Sequence, residues 1–125
     1  MDRLTATIQN DFAKKRIVIV GDLVADQFLH GTIARVSREA PVFILRHDDT
    51  DTRAGAAANA AVNIASLSAE PILVGLTGND QNGELLLESL RRSKVNCDFV
   101  VSDSSRKTTT KVRVLAGQHY AARQQ

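Results

Sequence analysis

Short apolar runs alternate with charged and turn-forming stretches along the chain, and their periods predict an α/β domain. Leu4, Ile8 and Phe12 recur at steps of four, which puts three apolar side chains on one face of a short helix expected to pack against the body. Residues 17–20 form a continuous β-branched run, entered from Lys14, Lys15 and Arg16 and closed by Gly21 and Asp22. That is the pattern of a strand buried on both faces of a parallel sheet. Residues 28–36 and 42–45 read as extended segments broken at Pro41, which drives Ala40 away from helical backbone, and predict a hairpin outside the main sheet. After the charged and polar stretch 46–53, residues 55–67 are almost all Ala, Asn, Val, Ile and Leu, and predict a helix starting near Gly55. Residues 72–76 predict another buried strand, and Thr77, Gly78, Asn79 and Asp80 supply turn and cap chemistry for a helix running to about Ser93.

On that second helix Leu85, Leu86 and Leu90 stand at helical spacing, with Glu84 and Glu88 toward the start and Arg91, Arg92 and Lys94 toward the end, which suits the helix dipole. Residues 99–101 predict a third core strand. The stretch 108–115 then alternates, separating Thr109, Lys111 and Arg113 from Thr110, Val112 and Val114, so that one face meets water or ligand. The order strand, hairpin, helix, strand, helix, strand, strand predicts crossover α/β units with an added β flap, without internal repeat or linker.

Composition narrows the classes. A chain of 125 residues suits one domain and buries roughly two-thirds of its unfolded surface. Apolar and charged fractions of 43% and 24% are those of a globular protein, which excludes a disordered or low-complexity scaffold. The net charge is only +2, with a sequence pI near 9.0 and no long basic block, and this disfavours a nucleic-acid binder. The single Cys97 cannot form an internal disulfide, so a reducing compartment, the cytoplasm, is expected. No run approaches the roughly eighteen apolar residues of a membrane span, and residues 1–15 lack the apolar centre of a secretory signal, so no membrane association is expected.

Two constellations carry candidate chemistry. Asp22 and Asp26 follow Gly21 where a predicted strand ends, and carboxylates beyond the carboxyl ends of such strands can accept hydrogen bonds from sugar hydroxyls; alternatively they cap the turn. The small residues 54–61 let a polar ligand approach backbone amides at a helix start near Gly55, Ala56 and Asn59; alternatively they let an Ala-rich helix pack tightly, with Asn59 and Asn63 turned inward. No GxGxxG or GxxxxGK[ST] occurs, so neither a dinucleotide fingerprint nor a P-loop is present. His30, His47 and His119 lack metal-ligand spacing, and no metal site is assigned. Ser66, Ser68 and Ser89 are outside any nucleophile elbow, and Cys97 sits in an apolar setting that suits an inert thiol.

The run Ala54-Gly55-Ala56-Ala57-Ala58-Asn59-Ala60-Ala61, followed by Ser68 and Gly78, resembles the first signature of the ribokinase-like (PfkB) carbohydrate kinases. Within that family the chain is most similar to the branch acting on heptose 7-phosphate. The segments that carry this likeness are residues 21–26, 35–42, 74–80, Cys97-Asp98 and 110–115. The resemblance implies a Rossmann-like parallel sheet with flanking helices and a β-strand lid, the lid formed by segments near 28–47 and 107–125. The whole chain, 1–125, then reads as the amino-terminal portion of the kinase domain. It implies a phosphorylated sugar held by Asp26, Gly55, Ala56 and Asn59, with Asp22 supporting the turn or the ligand. ATP with Mg2+ is the implied phosphoryl donor, and heptose 1,7-bisphosphate, on the way to ADP-heptose for lipopolysaccharide, the implied product. Lys111 and Arg113 either reach the sugar phosphate or form a solvated lid face.

Three positions depart from the signature. Its double glycine reads Ala54-Gly55, a glycine is replaced by Ser68, and Arg38 stands where a proline is usual. The Gly-Ala-Gly-Asp type motif that supplies the catalytic base and anion hole is absent, as is most of the ATP site, so no catalytic residue is assigned and the chain alone is expected to be inactive. Alternatives are a truncated sugar-binding module, or a family member acting on another phosphorylated sugar or a nucleoside. A truncated sheet would expose an apolar edge, and self-association or a homodimer through the lid strands is expected.

Overall fold

The computed structural model describes residues 2–117. His119 and the end of the second expected lid segment lie outside the described residues. The elements run α1 (Arg3–Asp11), β1 (Arg16–Val20), β2 (Leu23–Val36), β3 (Phe43–Ala56), α2 (Ala57–Ser66), β4 (Glu70–Gly78), α3 (Gln81–Arg92), β5 (Asn96–Asp103) and β6 (Thr110–Ala116). They make two three-stranded sheets: a core sheet in the order β1-β4-β5 and an outer sheet in the order β3-β2-β6.

The core sheet is parallel throughout, with Ile17 to Val20 beside Pro71 to Val74 and Val74 to Gly78 beside Phe99 to Asp103. Parallel neighbours need crossovers, and α2 and α3 supply them. Both helices pack on one face of the sheet around Leu73, where Ala58 and Ala61 of α2 and Leu86 and Leu90 of α3 are fully buried. The Ala-rich stretch is explained by this close approach. Asp80 caps α3 by accepting the Gly83 amide at 2.9 Å, Glu84 lies in the first turn, and Arg91 and Arg92 lie in the last. No helix among the described residues is long and apolar enough to cross a membrane.

The outer sheet starts as a continuation of the core, with Leu23 and Ala25 buried at the root of β2. β2 and β3 form the expected hairpin outside the main sheet, antiparallel from Leu23 opposite Ala56 to Val36 opposite Phe43, and β6 joins parallel to β2.

Several expectations are corrected. The hairpin is longer than residues 28–45 suggest: the polar stretch 46–53 is strand, and α2 begins at Ala57 rather than near Gly55. β1 is not buried on both faces, since α2 and α3 cover only one side of the sheet; Val18 and Val20 of β1, Leu76 of β4, and Phe99 and Val101 of β5 are exposed. α1 forms, but it buries no residue: Leu4 is exposed, and Ile8 and Phe12 are only half-buried.

Candidate functional site

Residues of alternating parity on a strand share a face, so register decides which side chains meet. Asp26 on β2 lies opposite Arg53 on β3 and Lys111 on β6; Phe28 lies opposite Asp51 and Arg113, and Val24 opposite Gly55. Asp26, Phe28, Arg53, Gly55, Lys111 and Arg113 therefore occupy one face of the outer sheet. The Arg113 Nη1 is 3.1 Å from Asp26 Oδ1, and these two side chains are only 22% and 21% exposed. The Arg113 and Arg53 guanidinium carbons stand 5.0 Å and 5.1 Å from the Phe28 ring centroid. Stacking on an aromatic ring holds a guanidinium while leaving its edge donors available to an anion. Arg53 is also held from one side by Asp51, Nε to Oδ2 at 2.7 Å.

The Asp26 carboxylate is held mainly by charge. Its Oδ1 is screened from water and, among the described residues, has the charge of Arg113 beside it but no aligned hydrogen bond. The guanidinium beside it offsets the loss of water around that oxygen. Gly55 makes room for that carboxylate, because a Cβ there would lie 3.0 Å from Asp26 Oδ2 and 3.2 Å from its Cγ.

The remaining expected residues divide. Ala56 has φ 52° and ψ −127°, a backbone that L residues rarely adopt, at the turn from β3 into α2. The glycine of the signature, Gly55, thus provides space, and the backbone strain falls one residue later. Asp22 caps this turn, but through its backbone: its carbonyl accepts the Ala57 amide at 3.0 Å, while its exposed side chain lines a separate cavity of about 230 Å³ with Gly21, Gly75, Leu76, Arg106 and Thr109. Asn59 and Asn63 are exposed on α2 and not turned inward, and no hydrogen bond ties Asn59 to the Asp26 group. Lys111 is exposed, whereas Arg113 is drawn in by Asp26, so the alternation on β6 does not leave both basic residues equally in water. Cys97 is half-buried in β5, and burial pushes its thiol up, against the weaker pull of Arg91, which keeps it protonated near neutral pH.

A model of the pfkB family of carbohydrate kinases matches residues 14–122. The chain belongs to that family. It is 45% identical over 106 residues to the bifunctional protein HldE of Proteus mirabilis, covering 85% of this chain and 22% of that protein. Identity to the HldE of Koribacter versatilis is 41% over 120 residues, covering 96% of this chain and 24% of that one. The chain spans roughly a quarter of the length of these relatives. Among solved structures it is similar to a carbohydrate kinase from Agrobacterium tumefaciens, with a TM-score of 0.66, 26% identity, and coverage of 82% of this chain and 32% of that one. It is also similar to an Arabidopsis thaliana ribokinase complexed with ribose and ATP, with a TM-score of 0.61, 25% identity, and coverage of 88% and 34%.

The pfkB assignment fits the ribokinase-like α/β fold that the signature resemblance implies. Two site residues escaped the sequence reading: Phe28, a lone aromatic within an extended segment, and Arg53, the last residue of a polar stretch whose strand character has no apolar period to reveal it. The basic charge of Arg53 on the strand leading into Gly55 was the only available signal.

Proposed function

We propose that the chain is the sugar-binding portion of an ATP-dependent kinase that phosphorylates heptose 7-phosphate at its anomeric hydroxyl, with the outer sheet as a lid over the sugar. The observation that carries this reading is the largely buried Asp26–Arg113 pair, on a face that also presents Lys111 and where Gly55 leaves room for the Asp26 carboxylate. A sugar phosphate brings both hydroxyl donors and an anion. Asp26 would accept from sugar hydroxyls, and Arg113 and Lys111 would hold the 7-phosphate, Arg113 with its fork steadied on Phe28. The amides at the start of α2, beside Ala56 and Asn59, would face the ligand's polar edge. Segments 21–26, 35–42 and 110–115 support the heptose branch over other members of the family.

ATP supplies the transferred phosphoryl group in such a kinase, and Mg2+ accompanies it. Among the described residues no three His, Cys, Asp or Glu gather as metal ligands, and no glycine-rich phosphate loop is present. These residues do not fit the nucleotide or its metal; for this chain alone the expectation is binding without turnover. A cytoplasmic setting and pairing of two copies through the lid edges β3 and β6 belong to the same reading.

Calorimetric titration of the 125-residue chain with heptose 7-phosphate tests it. Binding is expected, weakened at least about ten-fold by Asp26→Asn, the scale of a lost hydrogen bond to a charged group. No heat with the wild type, or equal affinity in the variant, would refute the assignment.

A further inference from the structure

Behind the charged face of the outer sheet a polar chain crosses all three strands. Gln27 on β2 donates from Nε2 to Asn82 Oδ1 of α3 at 2.8 Å and reaches Thr52 Oγ1 on β3 at 3.5 Å. Asn82 donates from Nδ2 to Thr110 Oγ1 on β6 at 3.0 Å, and the Thr110 hydroxyl donates to the Thr108 carbonyl at 3.0 Å. Both ends of the Asn82 amide are thus engaged, one by each of two strands that lie far apart in sequence. Gln27, Thr52 and Asn82 also line a cavity of about 510 Å³ between the sheet and α3. Within that gap, these hydrogen bonds bridge the helix to the sheet.

Two residues earlier, at the N-cap of α3, Asp80 holds the entry to β6. Its Oδ2 accepts the Thr108 amide at 2.9 Å and its Oδ1 accepts the Thr108 hydroxyl at 2.7 Å. The fit leaves no slack: a Cβ on Gly78 would lie 2.5 Å from Thr108 N, and one on Gly83 would lie 2.8 Å from Thr108 Oγ1.

The members of the chain are sequence neighbours of the front-face charges. Gln27 follows Asp26, Thr52 precedes Arg53, and Thr110 precedes Lys111. Successive strand residues point to opposite faces, so fixing each back-face residue fixes the Cα beneath its charged neighbour. We propose that Asn82 is a positioning residue for the sugar-phosphate site: by tying Gln27 and Thr110 to the first turn of α3, it sets the spacing of Asp26 and Lys111 without touching the ligand. This rests on the sugar-phosphate reading of the front face.

The test uses the 125-residue chain, with Asn82→Leu and Thr110→Val made singly and together. Two readouts are taken, amide hydrogen exchange by strand and the affinity for heptose 7-phosphate. Leu at position 82 keeps helix propensity and leaves the Asp80 cap in place, and Val at 110 keeps strand propensity, so folding is retained. Each single variant is expected to speed exchange in residues 110–116 and 24–28 by about ten-fold and to weaken heptose 7-phosphate binding about ten-fold, as for a lost buried pairing. Exchange in 72–76 of the core is expected to stay unchanged. The double variant is expected to cost less than the sum of the two, because both remove the same link.

Three results would overturn the proposal: unchanged exchange in the outer sheet, an equal rise in the core strand, or unaltered affinity despite loosened strands. If the wild-type chain binds no heptose 7-phosphate, the sugar reading fails by itself. The spacing of Asp26 and Lys111 by Asn82 is then decided by exchange alone: selective loosening of 110–116 and 24–28 upholds it, and any other pattern overturns it.

Discussion

The core sheet buries Leu73 completely under α2 and α3, yet its opposite face leaves Val18, Val20, Phe99 and Val101 between 57% and 75% exposed. The outer sheet sets the charges of Asp26, Lys111 and Arg113 on one face and the polar chain through Gln27 and Asn82 on the other. Parallel sheets are normally covered on both sides, so the open face of the core is the one that requires a partner surface. Charge and cohesion are thereby separated: the core sheet supplies hydrophobic stability on one side, and the outer sheet presents charged side chains on a frame held by hydrogen bonds.

The sharpest way to break this comparison is to substitute one residue on each face of the core sheet. Leu73→Ala is expected to cost about 2–5 kcal/mol, read as a large fall in melting temperature. Val20→Thr on the open face is expected to stay within about 0.5 kcal/mol while reducing concentration-dependent association in sedimentation. A monodisperse, cooperatively melting wild-type monomer, or equal losses in the two variants, would remove the distinction.

A smaller effect of opposite sign is expected at the joint between the sheets. Ala56 holds φ 52°, where glycine carries no Cβ penalty, so Ala56→Gly is expected to stabilise by about 1 kcal/mol in denaturant unfolding. Destabilisation would mean that the turn is not under strain.

The smallest effect concerns pH. The Thr108 amide, then the Thr108 hydroxyl and the Gly83 amide, hold the Asp80 carboxyl below the ordinary carboxylate value of 3.8. A depressed folded value contributes stability that is fully present above pH 3.8 and is lost as pH falls through the lower folded value. Asp2, Asp48 and Asp103 shift in the same direction, so the Asp80 share is read from the difference between wild-type and Asp80→Asn melts. That difference should shrink below pH 3.8 and be constant above pH 5 or so; a difference independent of pH would contradict the pairing.

The parts legible in the sequence are those set by local chemistry. The β-branched run 17–20, the break at Pro41, the Asp80 cap and the Leu86/Leu90 spacing each fix an element through its own residues, and the element order follows. What escaped depends on partners distant along the chain. β1 and β5 are apolar enough for a buried strand, but apolarity does not say which face is covered. The strand through residues 46–56 pairs with β2 over long range and has no hydrophobic alternation of its own, while alanine propensity masks where α2 begins. In the site, Asp26 and Arg113 could be singled out as residue types, but their contact is made by the parallel pairing of β6 with β2, across 87 positions of sequence. Asn82 carried no signal at all, since its role lies in bridging two other elements.

Two-dimensional amide spectra of the 15N-labelled chain, titrated with heptose 7-phosphate, test the central claim most directly. The account predicts saturable shifts concentrated at Asp26, Phe28, Gly55, Lys111 and Arg113, and lost in Asp26→Asn. Shifts confined to the cavity lined by Leu29, Thr50 and Arg92 behind the sheet, or none at all, would contradict it.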